Sequence, residues 1–370
     1  MLEHLRLEDK NMQIIRKGST AGEIETPRVM TGLYSFDWAF IDNKGNAGLP
    51  LRSMIEITGS QGVGKSTVMF SLAGKVAKNT NRDIYLLDLE RQNSSTLSSC
   101  LNLSGFDGKF TWDVQVEDFI PNEEKTKKSK SSKKSDDKTA DDLLLNIVEL
   151  VGNKEHPIIM IDSIAVWQPD TVNQSTLSDK NIGVKATALR RWFEKMLIPL
   201  NGHPIPPVVF FTNHLTQDPG GFRPSFNSPV PTIAAGGTAV GYCSTQIIHL
   251  SNLHGFSYPE QHGWVTQGKL RKNRDGYGIE SKQIFFLYIQ AGEGINANLT
   301  AVIDCHMLGL AKSSATNVTE SSTISIDGNK VGQFRDLIAE RHNDDLFLPF
   351  HNALKSVTGG IKEVSTTIGE

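Results

Sequence analysis

The chain has 370 residues, of which 38% are hydrophobic and 21% charged, and its formal net charge is −3. That composition suits a globular protein with a large core and excludes collagen-like or wholly disordered classes; the near-neutral balance leaves any attraction to nucleic acid or membrane to local patches. Cys100, Cys243 and Cys305 are far apart with no C-x-x-C pair, so neither a disulfide framework nor a zinc site is expected, and a reducing, cytoplasmic setting fits.

Taken in chain order, residues 1–28 form an N-terminal segment. Leu2, Leu5 and Leu7 can share one face of a subunit-contact helix. So short a helix is marginal in water without a partner surface, and a frayed terminus is the alternative. The segment lacks the apolar core of a signal peptide, and no later run of about 18 apolar residues suggests a membrane span. The main domain is expected over 29–305. Its first buried strand is 53–58, followed by Gly59-Ser60-Gln61-Gly62-Val63-Gly64-Lys65-Ser66-Thr67 and a helix over 65–78. A second strand, 84–89, ends at Glu90, and another lies within 111–119.

Residues 121–142 break the pattern. Lys125, Lys127, Lys128, Lys130, Lys133 and Lys134 are spaced by Ser and Thr and then balanced by Asp136, Asp137, Asp141 and Asp142. The composition predicts a disordered insertion; a DNA tether is the alternative, weakened by the neighbouring acids. A helix over 143–151 and a third strand ending at Ile161-Asp162-Ser163 follow. The helix over 184–198 sets Leu189, Trp192, Phe193, Met196 and Leu197 on one face. The fourth strand, 208–212, ends at Asn213-His214 and opens a proline- and glycine-rich loop, 215–237. Strands at 246–250, 268–272 and 283–289 stand close together without helices. The C-terminal part, 306–357, reads as a small α+β appendage with a hairpin at Asp327-Gly328 and a helix over 331–341; 358–370 reads as a flexible tail. Alternating strands and helices with near-continuous apolar strands predict an α/β fold: a mainly parallel, twisted sheet, helices on both faces, and an antiparallel extension from the late strands.

The stretch 59–67 matches Gly-x-x-x-x-Gly-Lys-Ser between a strand and a helix, the context a P-loop requires. Gly59, Gly62 and Gly64 let the backbone approach an anion; the amides of Ser60, Gln61, Val63 and Thr67 and the helix N-terminus can hold phosphates. Lys65 supplies a point charge, and Ser66 can ligate Mg²⁺. A bland glycine-rich turn is the alternative. A nucleoside triphosphate with Mg²⁺ is therefore the expected ligand pair, and the family resemblance below implies ATP. Asp162, at a strand end, is the second candidate Mg²⁺ group, against a helix-capping role. Glu90 is the candidate for polarising water, with Asp88 as competitor and an ion pair with Arg91 as the structural reading. His214 can sense a γ-phosphate or simply be a satisfied structural histidine. Phe222, Arg223 and Phe226 give the long loop groups that can stack on or neutralise a single strand.

The ordered set Thr31-Gly32, Gly48-Leu49-Pro50, the P-loop, Leu87-Asp88-Leu89-Glu90, Ile161-Asp162-Ser163, Asn213-His214, Gly236-Gly237, Lys272-Asn273-Arg274 and Gly292-Glu293-Gly294-Ile295-Asn296 resembles the RecA family of ATP-dependent DNA recombinases, in a phage-like or divergent spelling. The resemblance covers residues 28–310. It implies a RecA-like P-loop ATPase core, a catalytic glutamate at Glu90, and a γ-phosphate sensor at His214. It implies DNA-binding loops at 168–183 and 215–237, the latter ending in Gly236-Gly237. It further implies that Lys272 and Arg274 reach the nucleotide of an adjacent subunit in a helical filament on single- and double-stranded DNA.

Departures from the family pattern are the lysine-rich insertion, the proline-rich second loop, and Leu97 where an aromatic usually stacks on adenine. The leading expectation is a DNA-dependent ATPase that forms nucleoprotein filaments and promotes homologous pairing and strand exchange. A recombination mediator, a helicase-type motor and a regulatory ATPase on the same core are the alternatives. Lys272-Asn273-Arg274 and the glycine pair favour the first.

Overall fold

A computed structural model describes residues 26–90, 94–112, 140–152, 157–169, 183–202, 206–217, 232–253, 263–274, 284–315, 318–319 and 321–358. The N-terminal segment before 26, residues 121–139 of the lysine-rich insertion, most of the first expected DNA loop, Phe222, Arg223 and Phe226 lie outside the described residues.

In chain order the elements are β1 (Arg28–Val29), α1 (Tyr34–Ala39), β2 (Leu49–Pro50), β3 (Ser53–Gly59), α2 (Lys65–Thr80), β4 (Ile84–Asp88), α3 (Ser94–Ser104), β5 (Phe110–Trp112), α4 (Ala140–Gly152), β6 (Ile158–Asp162), α5 (Val184–Gly202), β7 (Val208–Gln217) and β8 (Thr232–Ala234). They continue with α6 (Thr238–Cys243), β9 (Gln246–Asn252), β10 (Gly263–Asn273), β11 (Ile284–Gln290), β12 (Gly294–Ile295), α7 (Ala297–Met307), β13 (Ala311–Ser313), β14 (Thr323–Ile326), β15 (Asn329–Gln333), α8 (Phe334–Ala339) and α9 (Asp344–Thr358).

The large sheet runs β12-β11-β10-β9-β3-β7-β6-β4-β5, with β8 paired to the far end of β7. The strands from β9 to β5 are mutually parallel. Beyond β9, the strands β10, β11 and β12 add antiparallel to one another. The molecule is thus α/β with a mixed sheet, as expected. The extension begins one strand later than the sequence reading put it, because β9 pairs parallel to β3.

Strand residues alternate between two apolar layers. Ile55, Ile57, Leu86 and Met160 pack under α2 and α3, whereas Met54, Leu87, Ile159, Ile161, Val209 and Phe211 pack under α4 and α5. Burial on both faces is why these strands read as unbroken apolar runs. Each such side chain contributes about 1.5–3 kcal/mol relative to exposure. The close approach of α2 and α3 requires Gly74, where a Cβ would stand 2.1 Å from Ser104 Oγ. A third layer holds Val265 and Tyr288 of the extension against α7, α9 and the small sheet β13-β14-β15.

Two local expectations differ. Residues 331–333 belong to β15, where the register with β14 overrides the helical reading, and the helix starts at Phe334. The helix α9, which contains Pro349, was not read from the sequence. The Asp327-Gly328 turn forms as expected, with φ of 50° and 78°.

Candidate active site

The C-terminal ends of β3, β4, β6 and β7 form one edge of the parallel sheet, the edge where open α/β sheets bind ligands. Here β3 ends at Gly59, in register with His214 on β7, and Asp88 pairs with Asp162 across β4 and β6. The chain leaves β3 through the loop 60–64 and enters α2 at Lys65, with Gly62 at φ 76° and Gly64 at φ 92°. Both values favour glycine. Lys65 Nζ donates to Gly59 O at 3.2 Å and Ser60 O at 2.9 Å, which holds the ammonium within the loop. Burial lowers the Lys65 pKa, while Glu90 and Asp162 pull it back up.

Glu90 follows β4 and is fastened from several sides. The amides of Leu89 and Glu90 donate to Asp162 O at 2.7 and 3.0 Å. The Ser163 hydroxyl donates to Glu90 Oε1, and His214 Nε2 lies 2.7 Å from the same oxygen. Burial raises the Glu90 pKa, but the contacts from Ser163 and His214 and the charge of Lys65 outweigh it, so the group stays ionised below its ordinary value. Its competitor, Asp88, is 7% exposed within β4, whereas Glu90 keeps 23% of its side chain exposed.

Asp162 is 1% exposed, and burial lifts its pKa to about 6 against hydrogen bonds from Thr212 and Ser66. The Thr212 hydroxyl donates to Asp162 Oδ1. Asp162 Oδ2 is buried without a hydrogen-bond partner among the described residues. An orphaned carboxylate oxygen beside the Ser66 hydroxyl is an all-oxygen donor pair that fits a hard cation such as Mg²⁺.

The backbone of His214 joins the site to β8. Its carbonyl accepts from the Ala235 amide at 3.0 Å, and β7 pairs with β8 just beyond. Buried Asn213 donates to Glu56 Oε1 at 2.8 Å and to Ala235 O at 2.9 Å. Gly236 and Gly237 come next, at φ 89° and 74°, and lead into α6.

Lys272 and Arg274 are not brought to this site. Antiparallel β10 places Lys272 opposite Ile247 and Asn273 opposite Gln246, at the start of β9, whereas Gly59 pairs with Leu250. The cations therefore sit at the opposite edge of the sheet. Lys272 Nζ donates to the carbonyls of Gly241 and Tyr242 at 2.7 and 2.9 Å, and Arg274 donates to Tyr242 O at 2.7 Å. Lys272 lies eight residue steps along β10 from Trp264, which flanks the loop, so the separation is about 26 Å. That is several times the screening length of about 8 Å at physiological salt. Within one chain the pair cannot neutralise charge at the loop.

Sequence reading missed several residues here. Ser163 and Thr212 stand next to residues it singled out, so their position was a usable signal. Glu56 lies inside an apolar strand, where its charge marks it. Trp264 and Thr266, which touch the loop from β10, give no signal without the sheet order. Leu97 is 1% exposed in the core and cannot stack on a base.

No protein-family model matches the chain. It is 23% identical over 326 residues to Protein RecA of Crocosphaera subtropica, covering 87% of this chain and 80% of the relative. It is likewise 23% identical to Protein RecA of Nostoc punctiforme, covering 87% of this chain and 77% of that relative. The relationship is a distant, RecA-like one.

Proposed function

We propose that this protein is an ATP-dependent DNA recombinase that binds single-stranded DNA, assembles on it as a helical filament, and pairs it with homologous duplex. The observation that carries the reading is the meeting of Lys65, Asp162, Glu90 and His214 at one sheet edge while Lys272 and Arg274 stand at the other. Such a division suits a site that a second copy completes. The distant similarity to RecA proteins supports the same class.

In this reading the amides of 59–67 and Lys65 hold the phosphates. Ser66 and Asp162 would hold Mg²⁺, which would supply positive charge against the phosphates. Glu90, kept ionised, accepts a hydrogen bond from the attacking water and orients it. His214 shares Glu90 Oε1 and continues into Ala235, so a change at the γ-phosphate reaches Gly236-Gly237 and the loop that bears Phe222, Arg223 and Phe226. Lys272 and Arg274 supply positive charge to the neighbouring subunit's site. A cytoplasmic protein is proposed; no helix among the described residues is long and apolar enough to cross a membrane.

Electron microscopy with single-stranded DNA, with and without a non-hydrolysable ATP analogue, tests the reading. Nucleoprotein filaments that extend with the analogue are expected. Closed rings without filaments would point to a helicase-type motor instead.

A further inference from the structure

The acidic and imidazole groups of the candidate site all lie to one side of β3, on β7, on β6 and after β4. A triphosphate held by the loop would set its terminal phosphate toward them, so its nucleoside must leave toward β9, β10 and β11. On that side β10 touches the loop twice. The Thr266 hydroxyl donates to Val63 O at 3.2 Å. Two residues earlier on the same face, Trp264 packs beside Gly64: a Cβ there would stand 3.4 Å from Trp264 Cζ2, 3.8 Å from its Nε1 and 2.7 Å from Ile289 Cδ1. Trp264 is half-buried at the rim of the core: its indole N–H is buried without a hydrogen-bond partner among the described residues, and part of the ring stays exposed. A large ring left partly open next to the last glycine before α2 is an apolar surface the chain itself does not cover.

We propose that Trp264 forms the nucleoside-side wall of the site and packs against the base of the bound nucleotide. The inference rests on the proposed binding of a nucleotide at the loop. It supplies an aromatic contact that buried Leu97 cannot make.

Calorimetric titration of the full chain with Mg²⁺ and either ATP or inorganic tripolyphosphate tests it. Trp264→Ala should weaken ATP binding about tenfold, the scale of a lost base–aromatic contact. Tripolyphosphate binding should stay unchanged, which also shows that the loop is intact. Trp264→Phe should recover most of the ATP affinity. Unchanged ATP binding in Trp264→Ala, an equal loss for both probes, or a Trp264→Phe as weak as the alanine variant would each overturn the Trp264 assignment and leave the nucleotide reading standing. A parent chain that binds neither probe would overturn both.

Discussion

The two edges of the parallel sheet are built differently. At the C-terminal edge, Glu90, Asp162, Ser163, Thr212 and His214 are joined by side-chain contacts; burial raises the Asp162 pKa, whereas its contacts hold Glu90 ionised. At the opposite edge, the side chains of Lys272 and Arg274 donate to backbone carbonyls of α6, and Arg274 is exposed. The first edge is a pre-organised constellation within one chain. The second offers positive charge with nothing anionic directly bonded to it among the described residues. The contrast teaches that the two groups of side chains do not meet within one chain; in the function proposed above, a second copy brings them together.

The largest expected effect breaks the first edge. Glu90→Gln keeps the side-chain shape but removes the charge that we propose orients water, so turnover should fall about 10³-fold while ATP-dependent DNA binding persists. Unchanged turnover would remove Glu90 from the chemistry. The next tests the second edge. Lys272→Ala with Arg274→Ala should lower DNA-stimulated hydrolysis about 10²-fold, less than a fully engaged arginine finger because Arg274 is exposed. Mixing this variant with Glu90→Gln should restore some activity, since some interfaces then pair an intact Glu90 with an intact cation pair. A mixture as inactive as its parts would argue against action between copies.

The smallest effect probes the link between the edges. Glu56, in the middle of β3, accepts from Asn213 and feels the charge of Lys272. Asn213→Ala should cost about 1–3 kcal/mol in urea unfolding, the range for a buried acceptor left open. Burial already raises the Glu56 pKa, and the Asn213 hydrogen bond lowers it. A raised folded-state pKa gives stability that is present below the unfolded value and lost as pH rises through the folded one. Removing the lowering contact raises that pKa further. The variant and parent should therefore be most alike in acid and diverge as pH rises, and a pH-independent difference would mean that Glu56 is not involved.

Much of this edge was legible in the sequence. An apolar strand ending in a glycine-rich loop, and acids or Asn-His at the ends of later apolar strands, are local patterns, and β3, β4, β6 and β7 end where those patterns end or within a few residues. The β7–β8 hairpin was missed because its residues follow Asn213-His214 into a stretch rich in proline and glycine, which reads as loop. The 331–333 strand was missed because pairing with β14, not local propensity, holds it. Pro349 hid α9, whose Phe347, Phe350 and Leu354 are held by packing against the third core layer.

The sequence alone determined the phosphate-cradle pattern and the order of the polar strand ends, because each depends on residues close in the chain. Tertiary structure alone decided that Glu90 and His214, 124 residues apart, share a carboxylate contact. It likewise decided that Trp264 meets Gly64 and that Lys272 and Arg274 stand at the far edge. Strand order and register are set by pairing between distant segments, and one strand's direction determines which of its ends reaches the site.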